Sequence, residues 1–530
     1  MSMPQPPHIA LFPSAGMGHL MPFLRLAAML AKQGSIVTLI TGQPTVSIAE
    51  SDHISSFLRH NPKINHLELQ LTPSFRQADS PLVDPFFQQM HLINQSTNLL
   101  PPLLSSSSPP FSAIFVDFLV VAKVAPVAKS LDLPIYVLAT SSVSFVSVMA
   151  YLPVLASNPV EFNKTYPEVK IPGLPPMAMS SLPPVFHDSS HLLTSIIITN
   201  SPALSEAKGI LMNTFEWFEA STLAALNKDR AIKSLPPILP IGPLQPYHVP
   251  HDDDRDQYKS WLENQPAESV VYISFGSRTA MSRDQIQELE KGLEKTGWRF
   301  FWVLKTSKVD KDDQEDAEHL LNEAFLEKTK NNGLVIKGWV EQQEILGHPA
   351  IGGFLSHCGW NSVMEAALQG VPMLAWPQHG DQRLNAQVAE DAGLGLWERN
   401  WDWGPNGIVK GEEIEKKIVE LMTDKKLKGR AKKVREEARK AVGRGGSSDT
   451  VIRELQHGDQ RLNAHVVEDA GLGLWERNWD WGPNSIVKGE EIEKKIVELM
   501  TDENLRGRAK KVKEEARKVV GRGGSSDMVI

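Results

Sequence analysis

Six residues between two apolar runs carry the densest set of reactive groups in this chain: His357-Cys358-Gly359-Trp360-Asn361-Ser362. Ile351 to Ser356, just before them, reads as a short buried strand. Asn361 to Leu368 reads as a helix stopped by Gly370, with Pro372 just beyond. A helix N-terminus exposes unpaired backbone N–H groups and partial positive charge, so this turn suits a phosphate. His357, Asn361 and Ser362 add side-chain donors there. Glu365 follows Asn361 by one turn on the same face, placed to accept from ribose hydroxyls. Trp339, upstream, offers a flat apolar face to a base. Asp381 and Gln382, beyond a second strand at Val371 to Trp376, supply an acceptor and a mixed donor and acceptor for sugar hydroxyls. Taken singly, a Trp or His beside apolar strands is usually a core residue. The joint spacing points to a sugar nucleotide.

Such groups need sheets to hold them. His8 to Pro13 reads as a first strand, Ser14 to Gly18 as a tight loop, and His19 to Lys32 as a helix. Leu20, Phe23, Leu24, Ala27 and Leu30 form its core face, and Gly34 stops it. Ser35 to Thr41 returns as a second strand, completing a βαβ unit. Further strands are predicted at His66 to Leu71, Ala113 to Val116 and Ile135 to Ala139. Ile171 to Pro184 reads as an irregular loop over a cleft. The proline-rich stretch Leu235 to Asp256, with its run Asp252-Asp253-Asp254, reads as a solvated linker and is expected to be the domain boundary. Beyond it, Ser269 to Phe275, Phe300 to Leu304 and Leu334 to Lys337 continue the strand series. The pattern predicts an α/β protein with two Rossmann-like domains, residues 1–250 and 251–455.

The chain has 530 residues, 41% hydrophobic and 22% charged, an ordinary globular balance with room for two or three domains. A net charge of −8 argues against nucleic acid or an anionic membrane as the main partner. The one cysteine, Cys358, rules out an internal disulfide and fits a reducing compartment. The apolar stretch His8 to Leu30 is interrupted by Pro13, Gly16, Gly18, His19, Pro22 and Arg25, and does not read as a secretory signal. No run reaches the roughly 20 apolar residues that span a bilayer. A cytoplasmic protein with no membrane insertion is expected.

The 44 residues from Trp339 to Gln382 (382 − 339 + 1), WVEQQEILGHPAIGGFLSHCGWNSVMEAALQGVPMLAWPQHGDQ, resemble the signature box of the plant secondary-product glycosyltransferases. These enzymes move a sugar from UDP onto a small metabolite. The resemblance implies the GT-B fold, two facing Rossmann-like domains with the nucleotide in the cleft. It implies that Trp339 stacks on uracil with Gln342 beside the uridine. It gives His357, Asn361 and Ser362 the diphosphate, Glu365 the ribose, and Trp360, Asp381 and Gln382 the sugar. A final Gln in the box implies glucose. The N-terminal Pro13-Ser-Ala-Gly-Met-Gly-His19 matches the family motif that places a catalytic His at the first βα turn, a side chain suited to proton transfer near neutral pH. Asp117, in Ile114-Phe-Val-Asp117, fits the position of its carboxylate partner. The backbone at Gly276-Ser277 is expected to help with phosphate. No metal and no bound cofactor are implied, with UDP-glucose as donor substrate. The partners implied are the UDP-sugar and a small phenolic acceptor, and the protein is expected to be a monomer.

Two further stretches narrow the acceptor. Ser274-Phe-Gly-Ser-Arg-Thr-Ala-Met-Ser282 and Asp84-Pro85-Phe86 look like the flavonoid C-glucosyltransferase branch, whose enzymes attach glucose to a ring carbon of a phloroglucinol-type acceptor. The expected reaction is inverting glucosyl transfer, with O-transfer to a flavonoid as the alternative. A dehydrogenase reading of the Gly16-Met-Gly18 loop is weak: position 21 is Met, so the G-x-G-x-x-G fingerprint is incomplete.

Gln378 to Ile452 recurs as Gln456 to Ile530 at an offset of 78 (457 − 379), with nine differences over 75 positions (452 − 378 + 1). Each copy carries two amphipathic helices. In the first, Ile414, Ile418 and Leu421 share one face, as do Val434, Ala438 and Ala441. The second copy repeats Asp381 and Gln382 as Asp459 and Gln460 but lacks the Trp339 to Trp376 portion, so it cannot form a second site. Residues 456–530 are expected as an appended duplicate, with the first copy at the site. An inactive sugar-nucleotide binder, crippled by the duplication, is the rival from another class.

Overall fold

The computed structural model describes residues 6–72, 84–157, 168–247, 253–279, 281–305, 321–401, 407–456 and 489–520. It separates into two compact units, Met1–Val451 and Ile452–Ile530.

The larger unit holds two parallel sheets. The first is built from β1 (His8–Phe12), β2 (Ile36–Gln43), β3 (Ile64–Gln70), β4 (Ala113–Asp117), β5 (Ile135–Ala139), β8 (Ile210–Met212) and β9 (Ile238–Pro240), in the order β3-β2-β1-β4-β5-β8-β9. Between β5 and β8, β6 (Glu168–Val169) and β7 (Met177–Ala178) form a small antiparallel ribbon. The second sheet comprises β10 (Val270–Ser274), β11 (Arg299–Leu304), β12 (Gly333–Lys337), β13 (Ile351–Ser356), β14 (Met373–Ala375) and β15 (Gly395–Trp397), in the order β12-β11-β10-β13-β14-β15. β1, β5, β10 and β13 are buried along their whole length. Strands covered by helices on both faces read as continuous apolar runs, which is why these stood out in the sequence.

In each sheet the strand order reverses once, between β1 and β4 and between β10 and β13. Ligands of open α/β sheets bind outside the carboxyl ends of the strands at such a reversal. His19 follows β1 and Asp117 ends β4; Gly276 follows β10 and His357 follows β13.

The first copy of the repeat packs into this unit. Its helix Gly411–Thr423 buries Ile414, Ile418 and Leu421. It lies so close to the helix Arg283–Thr296 that a Cβ on Gly292 would stand 2.9 Å from the Gly411 carbonyl oxygen. The helix Lys425–Val442 buries Val434, Ala438 and Ala441 and backs the helix Trp360–Gln369. Ile171 to Pro184, expected as irregular, carries β7 and a 3₁₀ turn at Met179–Ser181; backbone pairing with β6 supplies order that its prolines do not advertise. In the smaller unit, Gly489–Thr501 repeats the sequence of Gly411–Thr423 and is again helical, with Ile492, Ile496, Val497, Leu499 and Met500 exposed. Glu503–Val520 is helical as well. Asp459 and Gln460 lie outside the described residues.

Candidate active site

A cavity of about 1210 Å³ lies where the two strand reversals face each other, and all the candidate site residues line it. On the first sheet, the helix Met17–Lys32 begins at Gly16, whose φ is +92°. A Cβ there would lie 2.0 Å from the Phe86 ring, so only glycine lets that ring reach the His19 turn. His19 Nδ1 is 2.7 Å from Asp117 Oδ2 and 3.1 Å from Thr140 Oγ1. Asp117 is 1% exposed, and its other oxygen accepts from the Leu119 N–H at 2.9 Å. With Nδ1–H donating to the carboxylate, the Nε2 lone pair is left free to take a proton.

Around His19 the wall is apolar: Phe86, Phe87, Phe118, Phe145 and Met149 line it. Arg278 reaches over from the loop after β10. Its guanidinium stacks 3.9 Å from the Phe86 centroid and donates to Asp84 at 2.9 Å.

On the second sheet, β13 turns into the helix Trp360–Gln369 through Cys358, whose φ is +62°. The Cys358 thiol is buried, and that burial, with Asp381 nearby, raises its pKa. His357 is hemmed in by glycine: a Cβ on Gly276 would stand 2.4 Å from its Nε2. Burial, reinforced by His379, pushes the imidazole down to about 3, so near neutral pH it is a neutral hydrogen-bonding group and not a cation. Ser277 follows Gly276 on the same wall.

Gln342 ties this wall of the cavity together. It accepts from the Tyr272 hydroxyl at 3.2 Å and donates to Ser362 Oγ at 2.9 Å and Glu365 Oε2 at 2.6 Å. Trp339 is 46% exposed at the cavity rim, with His53 edge-on at 4.6 Å. Asn361 Nδ2 donates to the Gly18 carbonyl at 3.1 Å, and Ser141 Oγ donates to Asp381 Oδ2. Asn385 donates to the same oxygen at 2.8 Å. Burial raises the Asp381 pKa against the pull of these two donors.

Two side chains sit differently from a simple sugar-facing role. The Trp360 indole is 2% exposed, and its N–H donates to the Asn213 carbonyl at 2.9 Å. A large apolar ring at the head of a helix buries itself in preference to facing a hydrophilic sugar. Gln382 is 3% exposed, and its carbonyl oxygen accepts from the Gln378 and His379 N–H groups at 2.7 and 3.0 Å. It shapes the loop that presents Asp381. Sequence reasoning missed Thr140 and Ser141, which carry no motif. It also missed Arg25, which donates to Glu365 Oε1; a charge inside the apolar run Phe23 to Ala27 was the available signal.

Among the described residues, no group of three or more His, Cys, Asp and Glu side chains could hold a metal ion. No helix among them is long and apolar enough to cross a membrane.

Two doubly wound sheets whose strand reversals share one cleft define the GT-B fold of sugar-nucleotide transferases. The family model for UDP-glucoronosyl and UDP-glucosyl transferase matches residues 225–401. UDP-glycosyltransferase 708G2 of Citrus unshiu is 46% identical over 457 residues, covering 85% of this chain and 96% of that protein. UDP-glycosyltransferase CGT of Oryza sativa subsp. indica is 43% identical over 451 residues, covering 85% and 95%. The crystal structure of LpCGTa in complex with UDP superposes with a TM-score of 0.75 at 44% identity, covering 85% of this chain and 99% of that one. The chain belongs to the plant UDP-glycosyltransferases of family 1. It is a UDP-sugar glycosyltransferase.

Proposed function

We propose that this enzyme transfers glucose from UDP-glucose, with inversion, to a ring carbon of a phloroglucinol-type flavonoid precursor, a 2-hydroxyflavanone or dihydrochalcone. The observation that carries the reading is the His19–Asp117 contact at 2.7 Å, set between an aromatic pocket and the head of the helix Trp360–Gln369. His19 Nε2 takes the proton of a phenolic hydroxyl, and Asp117 steadies the imidazolium that forms. The electron pair released onto the ring makes the ortho carbon nucleophilic. That carbon attacks the anomeric carbon as the bond to the UDP oxygen breaks; the ring carbon then gives its proton to solvent to regain aromaticity, and the proton held by His19 returns to the phenolic oxygen. His357, Asn361, Ser362 and the backbone at Ser277 receive the departing diphosphate, which is electrostatic preorganisation. Trp339 stacks on uracil beside Gln342, Glu365 holds the ribose, and Trp360, Asp381 and Gln382 bound the sugar pocket.

In this reading residues 1–250 bind the acceptor, residues 251–455 bind the donor, and 456–530 are an appended duplicate. The protein acts in the cytoplasm, in keeping with its single unpaired cysteine. Transfer to carbon draws support from the relative named CGT and from LpCGTa. The test is incubation with UDP-glucose and phloretin or a 2-hydroxyflavanone, followed by acid. A C-glucoside survives hydrolysis. A product that reverts to aglycone makes the enzyme an O-glucosyltransferase, and no product on any phenol favours the inactive binder.

A further inference from the structure

Arg25 is 5% exposed on the helix Met17–Lys32, among Leu24, Leu26 and Ala27, none of which reaches solvent. A guanidinium so deep needs a partner, and its partner is Glu365, itself 5% exposed, on the helix of the other sheet. The pair joins the two walls of the cleft, and both residues line the cavity. Glu365 is pinned from two sides: Arg25 Nη2 donates to Oε1, and Gln342 Nε2 donates to Oε2 at 2.6 Å. Gln343, with its amide oxygen turned to the guanidinium, accepts from Arg25 Nη1 at 3.1 Å. A carboxylate offers about four acceptor sites, so each oxygen keeps one for a ligand hydroxyl. The two donors fix the direction in which those sites point.

We propose that Arg25 is a positioning residue for the ribose of the sugar nucleotide: it aims the Glu365 carboxylate at the ribose hydroxyls, and so makes donor binding depend on the acceptor-side half of the cleft. This rests on the reading of Glu365 as the ribose acceptor. Arg25 then contributes to the affinity for UDP only as far as the ribose carries its hydroxyls. A merely structural tie between the sheets would affect all nucleotides alike.

The test compares UDP with 2′,3′-dideoxy-UDP by calorimetry on the full chain, in wild type, Arg25→Met, Arg25→Lys and Glu365→Gln. The ratio of the two dissociation constants is read within each protein, so it does not depend on the folded fraction of any variant. In Arg25→Met the UDP Kd and the donor KM should rise roughly tenfold, the scale of one charge-assisted hydrogen bond, with kcat at saturating donor nearly unchanged. Its Kd for the dideoxy analogue should match wild type, and Arg25→Lys should recover part of the discrimination. Equal weakening of both ligands in Arg25→Met, or no weakening of either, overturns the proposal. If wild type does not discriminate the two, Glu365 does not hold the ribose and the parent reading falls first. If Glu365→Gln abolishes discrimination while Arg25→Met keeps it, the parent reading stands and this proposal fails.

Discussion

His19 and Asp117 are 98 residues apart in sequence and 2.7 Å apart in space. The reason is the register of β1 against β4, in which Phe12 pairs with Val116. Asp117 is the next residue after that pair, at the end of β4, and His19 stands in the first turn of the helix Met17–Lys32 that follows β1. A base and its orienting carboxylate are thus delivered to one point by backbone hydrogen bonding.

His19→Ala is expected to lower kcat by roughly 10²–10⁴-fold, the usual worth of a general base. UDP affinity should stay close to wild type, because the residues proposed to contact the nucleotide lie on the second sheet. Single-turnover kinetics with calorimetry of UDP separates the two. Near-normal turnover would make His19 structural.

UDP-glucose is expected to be preferred over UDP-galactose, measured as kcat/KM with the two donors in competition. The motive is Gln382 at the end of the signature box. Because its carbonyl oxygen holds two N–H groups of the 378–379 turn, Gln382→Ala should also loosen the Asp381 loop and raise the donor KM. Equal use of the two donors by wild type would remove the role given to Gln382.

Glu219 is buried at the head of the helix Val143–Ser157, where one oxygen accepts from the Ser144 N–H at 3.3 Å. Burial pushes its carboxyl up from 4.5 to about 7, against the pull of the Thr214 hydroxyl and the local N–H groups. Below pH 4.5 the group is protonated in both folded and unfolded chains. As pH rises from there, the unfolded chain ionises first, so the stability this group allows is lost by about pH 7. Glu219→Gln should therefore melt like wild type near pH 4.5 and be more stable by roughly 3 kcal/mol near pH 8. Thermal melts at both pH values decide it; a difference that does not grow with pH refutes the assignment.

Removal of 456–530 is expected to leave a folded, active enzyme. The unit Met1–Val451 already contains both sheets, every candidate site residue and the buried helices of the first copy. The comparison is an internal excision of 378–455, which joins the second copy to Pro377. If only the excised form turns over, the second copy is the one that works, and the sugar contacts move to Asp459 and Gln460.

Much of the fold was legible because buried parallel strands are apolar along their whole length, and glycines mark where their helices stop. Ile351–Ser356 was read to the residue, and the helix beyond it to within one residue at either end. One wall of the cavity was legible for a related reason: Trp339, Gln342, His357, Asn361, Ser362 and Glu365, which line it, lie within 27 residues (365 − 339 + 1), close enough for spacing to carry geometry. The sequence by itself thus determined the family, the two sheets and one wall of the site. Only the tertiary structure decided what crosses the cleft. Ser141 meets Asp381, Asn361 meets Gly18, and Arg25 meets Glu365, across separations of 240, 343 and 340 residues. Local periodicity reports which face of an element is buried; it holds no information about which distant element covers that face. That is set when two sheets dock and buried polar groups must find partners or remain at a cost.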